Sequence, residues 1–487
     1  MRLELKQWLP DQSPLDSPGA EEIKNVYPVA RGYKPIPAMV EISTNALAGV
    51  AKGYYSAHAA DGATLTFAAD DSHLYSYSVT TFTNIDRTTG GVYTAQDTDL
   101  YWQMEQFGNR VIAVTYENSP QYYDLTISTN FENLAGSPPR ARYIGIVRDF
   151  VVLGFTINSA SEVYWSSVGD STAWTVGVNE CDSQTLQSGG RISGIIGGEV
   201  GYIIQERQVV KMTYVGSPVI FQFDVLDQGY GCVAPYSIVR VQRMAFYKGS
   251  DGFYMLDLAT GSGKAIGSEK VDRWFKENAS GGYMKQMRGA VDTTRKLVWW
   301  SFISTATSGT TPDHVIGYNW ELDRWFHAAF DHELLTSAFT EAITLDEIDA
   351  SFPDIDLCPI SLDSDYWLGG LNQLRGVSTN HKLTVFEGDN LAAVIQSQEG
   401  EPVPGRRSMI TNTRPLVDTS ESTIIVKSRE RLADSVSSTT NGIMETNGDI
   451  SIMSSGRYHR AEIRIPAGTD WTYVQGVDFD AVDDGAI

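Results

Sequence analysis

RDFVVLGF, Arg148 to Phe155, followed after six residues by EVYWSS from Glu162 to Ser167, decides the fold class. The first arm is a short apolar run rich in Val and Phe, and the second alternates apolar with polar residues. Two such arms around a turn-forming TINSAS spell a β-hairpin, since a helix would space its apolar residues at three and four.

The same unit recurs along the chain. TLTFA at Thr64 is answered by LYSYSV at Leu74, RVIAVTY at Arg110 by QYYDLTI at Gln121, and VGYIIQ at Val200 by VVKMTYV at Val209. RMAFYKG at Arg243 pairs with FYMLDL at Phe253, RKLVWWSFI at Arg295 with HVIGYNW at His314, and DYWLGGL at Asp365 with HKLTVFEG at His381. Taking Tyr75, Tyr122, Tyr164, Val210, Tyr254, Gly317 and Leu383 as centres of the second arms, the intervals are 47, 42, 46, 44, 63 and 66 residues. A period in the forties is that of four-stranded propeller blades, whereas sandwich strands come every ~8–12 residues with no longer period. The expected class is all-β, a β-propeller of six or seven blades with inserted loops or a small accessory β-domain. The spacing leaves the number open, because one hairpin can belong to an inserted sheet and the ring can close by exchanging a terminal strand.

Composition agrees with that class. Aromatic residues make up 11 % of the 487 residues and Gly numbers 44, a profile of strands joined by tight turns. The formal charge of −23 opposes tight binding to phosphates, which needs clustered Lys and Arg. No apolar run is long enough to span a membrane, and MRLELKQWLPDQ lacks the apolar core of a secretory signal, so cytoplasmic assembly is expected. Cys181, Cys232 and Cys358 are odd in number and far apart, which speaks for neither a disulfide framework nor a thiolate metal site.

Three regions are expected: an extended arm over 1–45, a propeller over 46–400, and a C-terminal β-domain or propeller-closing strands over 401–487. Within the propeller, Glu333 to Asp365 holds nine acidic residues and no Lys or Arg, and is expected to be an acidic insertion. GEPVPGRR at Gly400 to Arg407 has the composition of a linker. One helix is expected from Ser268 to Glu277, capped by Ser268, with Val271, Trp274 and Phe275 on one face.

Chemical motifs fail on spacing. GSGKAIG at Gly261 to Gly267 has Leu258 and Ala265 where a phosphate loop needs Gly and Ser or Thr, and is expected to be a turn. SSVGDSTAW at Ser166 to Trp174 has its Gly before Asp170 where an aspartate box has it after, which leaves a blade-tip turn with Trp174 plugged between blades. The seven His are scattered, with no zincin spacing and no G-x-S-x-G. ADDSH at Ala69 to His73 and VDDG at Val482 to Gly485 lack the further ligands of a calcium loop. Neither catalytic residues, nor metal ligands, nor a cofactor are expected, and the chain is not expected to be an enzyme.

WLPDQSPLDSPGAEEIKNVYP, from Trp8 to Pro28, resembles the opening of the tail nozzle, or head-completion and packaged-DNA stabilisation, proteins of short-tailed bacteriophages. The matching positions are Trp8, Pro10 and Asp11, then Pro18 and Gly19, then Asn25, Val26 and Pro28. RDFVVLGF with VYWSSVGDSTAW, NWELDRW at Asn319 to Trp325, and SGRYHRAEIRIPAGTDWTYVQGVDFD at Ser455 to Asp480 are similar to the same family, in order along the chain. The resemblance implies a virion structural protein of the phage tail: a homo-oligomer, usually a hexameric ring, below an adaptor and portal ring and above a tail needle, fibres or spikes. Duplex DNA would pass through it during genome packaging and ejection without tight binding. Trp8, Pro10, Asp11, Pro18, Gly19, Asn25, Tyr27 and Pro28 would then serve as an assembly interface. The arm, with Trp8 and Tyr27 as anchors and no blade strand of its own, is expected to lie across the chain or a neighbour, and its removal to spare folding while impairing assembly. The alternative is a carbohydrate-binding or glycosidase-type β-propeller using the 11 Trp as sugar platforms, although Trp165, Trp299, Trp300, Trp320 and Trp367 lie in or beside strands where burial is the simpler role.

Overall fold

Residues 2–13, 19–341, 343–352, 354 and 358–485 are described by the computed structural model. The chain is all-β, with 47 % of it in strands and 5 % in helix. Among the described residues the strands form six four-stranded sheets, one of nine strands and one of six.

The RDFVVLGF hairpin is the middle of one such sheet. Phe150–Thr156 pairs antiparallel with Glu162–Trp165, flanked by Ala141–Val147 on one side and Asp182–Thr185 on the other. The turn into it has only two residues, and Arg148 takes a φ of 49° there, the left-handed conformation that such a turn demands. The same four-strand meander is built from 53–84, 103–133, 192–228 and 239–265. The sixth, 288–329, forms the first four strands of the nine-stranded sheet. In the last, Leu334–Phe339, Asn372–Val377 and Leu383–Asn390 take their fourth strand, Pro37–Glu41, from the other end of the chain. The arrangement is propeller-like: first strands of successive sheets pack on one another, with the turn Pro235–Ser237 packed on Ile192–Ile196 and on Arg288–Asp292, and Leu334–Phe339 packs back on Gly53–His58. Successive sheets bury apolar side chains between them, as Trp174 does with Ile112, Val114, Val151 and Leu153.

The remaining strands form a sandwich fused to the sixth meander. Glu22–Lys24 runs parallel to Arg324–Ala329 and antiparallel to Ala393–Gln396, and Tyr458–Ile465, Thr423–Arg429 and Ser437–Asn441 continue that sheet. The facing sheet joins Val26–Pro28, Tyr33–Pro35, Val474–Asp483, Ser408–Val417 and Ile450–Gly456, with Arg2–Glu4 on the far side of Val474–Asp483. Ile395, Ile424, Val426, Ile463, Ile410, Val477 and Phe479 fill the space between.

Several expectations change. The segment Trp8 to Pro28 contains two strands, and 1–45 is not a separate arm but part of the sandwich and of the last propeller-like sheet. The C-terminal strands of the sandwich begin at Ala393, ahead of the expected boundary at 401. The seventh hairpin is Asn372–Val377 with Leu383–Asn390, because Asp365–Trp367 is a helical turn. The acidic stretch opens as the buried strand Leu334–Phe339, and the inserted part follows it, with a helix at Leu345–Ser351 opened by a capping box of Thr344 and Glu347. GSGKAIG is no mere turn: Ser262–Ala265 is a fourth strand. The expected helix spans Asp272–Asn278, with Val271 at its start and no cap from Ser268.

Candidate functional site

The arm residues singled out by the sequence are held against their own chain. Trp8 is fully buried, its indole edge-on to Trp274 at 4.8 Å and 4.9 Å from the His327 ring, and its Nε1 donates to the Glu21 carbonyl. Asp11 accepts at 2.8 Å from the backbone N–H of both Arg273 and Trp274, while Arg273 donates back to the Pro10 and Asp11 carbonyls. Gly19 passes so close to the chain that a Cβ would stand 2.6 Å from the Gln7 carbonyl oxygen. Pro18 lies outside the described residues.

Asn25 takes a φ of 61° between two strands of different sheets and is buried. Its amide donates to the Ala392 carbonyl and its Oδ1 accepts from the Ala329 N–H, which satisfies backbone groups at the seam. Tyr27 stacks under the Arg295 guanidinium at 5.6 Å, and Pro28 is buried. Glu22 joins the seam through His327 Nε2 at 2.7 Å, and Glu21 binds Arg460 and Gln396. The arm therefore clasps the sixth meander to the sandwich.

The other motifs resolve into structure. The Asp70 carboxylate is saturated by the N–H groups of Gly49, Ser72 and His73 and by the Tyr75 hydroxyl. Asp170 accepts from the N–H and hydroxyl of Thr172, and Trp174 Nε1 donates to the Ser171 carbonyl. Asp483 and Asp484 pair with Arg406 and Arg407. Cys181 and Cys232 are buried and Cys358 half-buried. Among the described residues no group of three or more His, Cys, Asp and Glu is placed to hold a metal ion, and no helix is long and apolar enough to cross a membrane.

A second candidate lies where the first strands meet. A cavity of 510 Å³ is walled by Ile144, Ile195, Ile238 and Met104 and also lined by Glu105, Arg240 and Arg288. Burial pushes the Glu105 carboxyl up to about 7, against the opposing charge of Arg240. Beside the cavity, Arg142 donates to the Tyr236 hydroxyl and sits 3.6 Å from Asp99, and Lys52 donates to the Asp97 and Thr98 carbonyls. Burial takes the Lys52 ammonium down to about 8, with Asp71 and Asp99 opposing. None of these was singled out from the sequence. The available signal was a carboxylate in mid-strand, QMEQF, and an Arg opening RGAVD, each charged where a buried strand is normally apolar.

The geometry defines an all-β, propeller-like chain with an appended sandwich. No protein-family model matches the chain, and no curated protein is similar to it. Among solved structures, it is similar to the extracellular domain of a hybrid two-component system from B. thetaiotaomicron, at 10 % identity and a TM-score of 0.42 over 79 % of this chain and 44 % of that one. The chain thus spans less than half the length of that protein. It is also similar to the computationally designed Ika8 protein, at 9 % identity and a TM-score of 0.37, over 71 % of this chain and 99 % of that one. The Neurospora crassa Pan2 WD40 domain gives 9 % identity and a TM-score of 0.40, over 71 % and 94 %.

Proposed function

We propose that the chain is a seven-bladed propeller, closed by Pro37–Glu41, and a structural subunit of the tail nozzle of a short-tailed bacteriophage. Six copies would form a ring under the portal and its adaptor, retain packaged DNA, and conduct it to the needle or fibres at ejection. One observation carries this proposal. Three of the segments that resemble the nozzle family, Trp8 to Pro28, Asn319 to Trp325 and Ser455 to Asp480, lie more than a hundred residues apart yet belong to strands or turns that meet at one seam. There Glu22–Lys24 lies between Arg324–Ala329 and Ala393–Gln396, and Tyr458–Ile465 lies next to the latter. Segments that share a place in the fold are under one structural demand, that of holding two bodies in fixed orientation, as a ring subunit requires.

The cavity of 510 Å³ has the size of a small-molecule pocket, ~300–1,000 Å³, and is far too small for a duplex whose major groove alone is ~12 Å wide. DNA would therefore run along the axis of the ring of subunits and not through the propeller. Negative-stain images of the protein mixed with its candidate adaptor ring test the proposal. Six-fold rings on the adaptor are expected; monomers that ignore the adaptor and are retained on a glycan column would refute it.

A further inference from the structure

Two ionisable side chains line the axial cavity without a partner of opposite charge. Among the described residues, the Arg288 side chain makes no ion pair or hydrogen bond; its guanidinium lies 4.8 Å over the Tyr101 ring, and its Nη1 is buried with no acceptor. Burial lowers its pKa, with Tyr101 and Tyr236 opposing. Glu105, on another wall, accepts no hydrogen bond and touches no cation; Arg240 acts on it only from a distance, its own guanidinium donating to the Gly197 and Gln242 carbonyls. The neighbouring cations are committed differently: Lys52 to two carbonyls, Arg142 to Tyr236 and Asp99, Lys285 to Asp99.

An uncompensated cation in such a place is strongly disfavoured, and a cation–π contact offsets only a small part of that. Arg presents a planar fork that matches a carboxylate in bidentate fashion. The wall around it is aliphatic, from Ile144, Ile195, Ile238 and Met104, and suits the apolar body of a ligand. A polyanion is disfavoured, because Arg288 is the one uncommitted cation described there and Glu105 would repel a second negative charge.

We propose that the axial cavity is a binding site for a small monocarboxylate, its carboxylate on Arg288 and its aliphatic or aromatic body on the isoleucine wall. The site is independent of the assembly role proposed above. Because Glu105 titrates near neutrality, loss of its charge on acidification relieves its repulsion of the ligand, so affinity rises as pH falls through about 7 while Arg288 stays protonated. The other titratable groups facing these two are Arg240 and Tyr55 near Glu105, and Tyr101, Tyr236 and Lys52 near Arg288.

Isothermal titration of the full chain with butyrate, benzoate and, as control, butylamine tests this, with Trp102 in the cavity wall as a fluorescent reporter. Saturable binding of at least one carboxylate and none of butylamine is expected. Arg288→Met should weaken it at least ~10-fold, the loss of a charge-assisted pair, and Arg288→Lys by a smaller factor. Glu105→Gln should retain binding and flatten its pH dependence. The proposal is overturned if neither carboxylate binds saturably, if butylamine binds as well, or if Arg288→Met leaves affinity unchanged. Should Arg288→Met fail to fold, unchanged affinity in Arg288→Lys overturns it instead.

Discussion

Single side chains set two measurable properties of this molecule. His332 is completely buried, with Nε2 2.6 Å from the Ser301 hydroxyl, and burial takes its pKa down to about 4. Its folded pKa lies below the unfolded value of about 6.5, so the unfolded chain binds the extra proton first. This group therefore leaves stability untouched above pH 6.5 and erodes it as pH falls from there toward 4, by up to roughly 3 kcal/mol. His332→Gln should flatten that part of a plot of urea midpoint against pH, and an identical slope would show that the histidine titrates normally. Trp8 fills the seam between Trp274 and His327, and Trp8→Ala should lower stability by about 3–5 kcal/mol in urea titration. A loss below ~1 kcal/mol would mean that the indole is loosely seated. The importance of Trp8 was legible in the sequence, as a large aromatic in a segment without blade strands. Its partners were not, since nothing local links it to residues beyond 270.

At the scale of elements, the second and third strands of the sheets were legible and the first and fourth mostly were not. Phe150–Thr156 and Leu297–Phe302 are buried along nearly their whole length and spell it in Val, Leu, Phe and Trp. Outer strands such as Asp182–Thr185 and Ser262–Ala265 are short and polar because only one edge and little area are covered, so their composition is that of turns. Inner strands such as Gln103–Phe107 are polar where they line the cavity. The strand Glu22–Lys24 escaped notice because it is three residues long and is specified by its neighbours on either side. Its position argues against the expectation that the arm can be removed without harm to folding. Deleting residues 2–36 leaves Arg324–Ala329 and Ala393–Gln396 with unsatisfied edges, and should release the sandwich as a protease-sensitive unit while 46–390 stays resistant. Unaltered melting and proteolysis of the deletion would instead make the arm peripheral.

For the whole molecule, charge dominates. Six copies in a ring would carry about −140 formal charges, six times −23, and screening limits the repulsion to about 10 Å at moderate salt. We predict that the isolated protein is a monomer by light scattering at micromolar concentration, and that it does not shift duplex DNA at physiological salt. We also predict that the wall facing the DNA is net negative, so that no deep minimum slows a passing duplex. A stable hexamer without partner contradicts the first, and sub-micromolar, salt-sensitive DNA affinity the second. Finally, Arg2–Glu4 pairs with Val474–Asp483, so a strand synthesised early must wait for one that lies about 470 residues later. At ~5–20 residues per second that delay is on the order of a minute. During it the meanders from 53 to 329 can form in turn, while Leu3 and Leu5 remain without the late strand they lie against. Translation therefore sets the order of events: the sandwich is a late product, and the strand Arg2–Glu4 stays open to a chaperone's shelter until its partner is made.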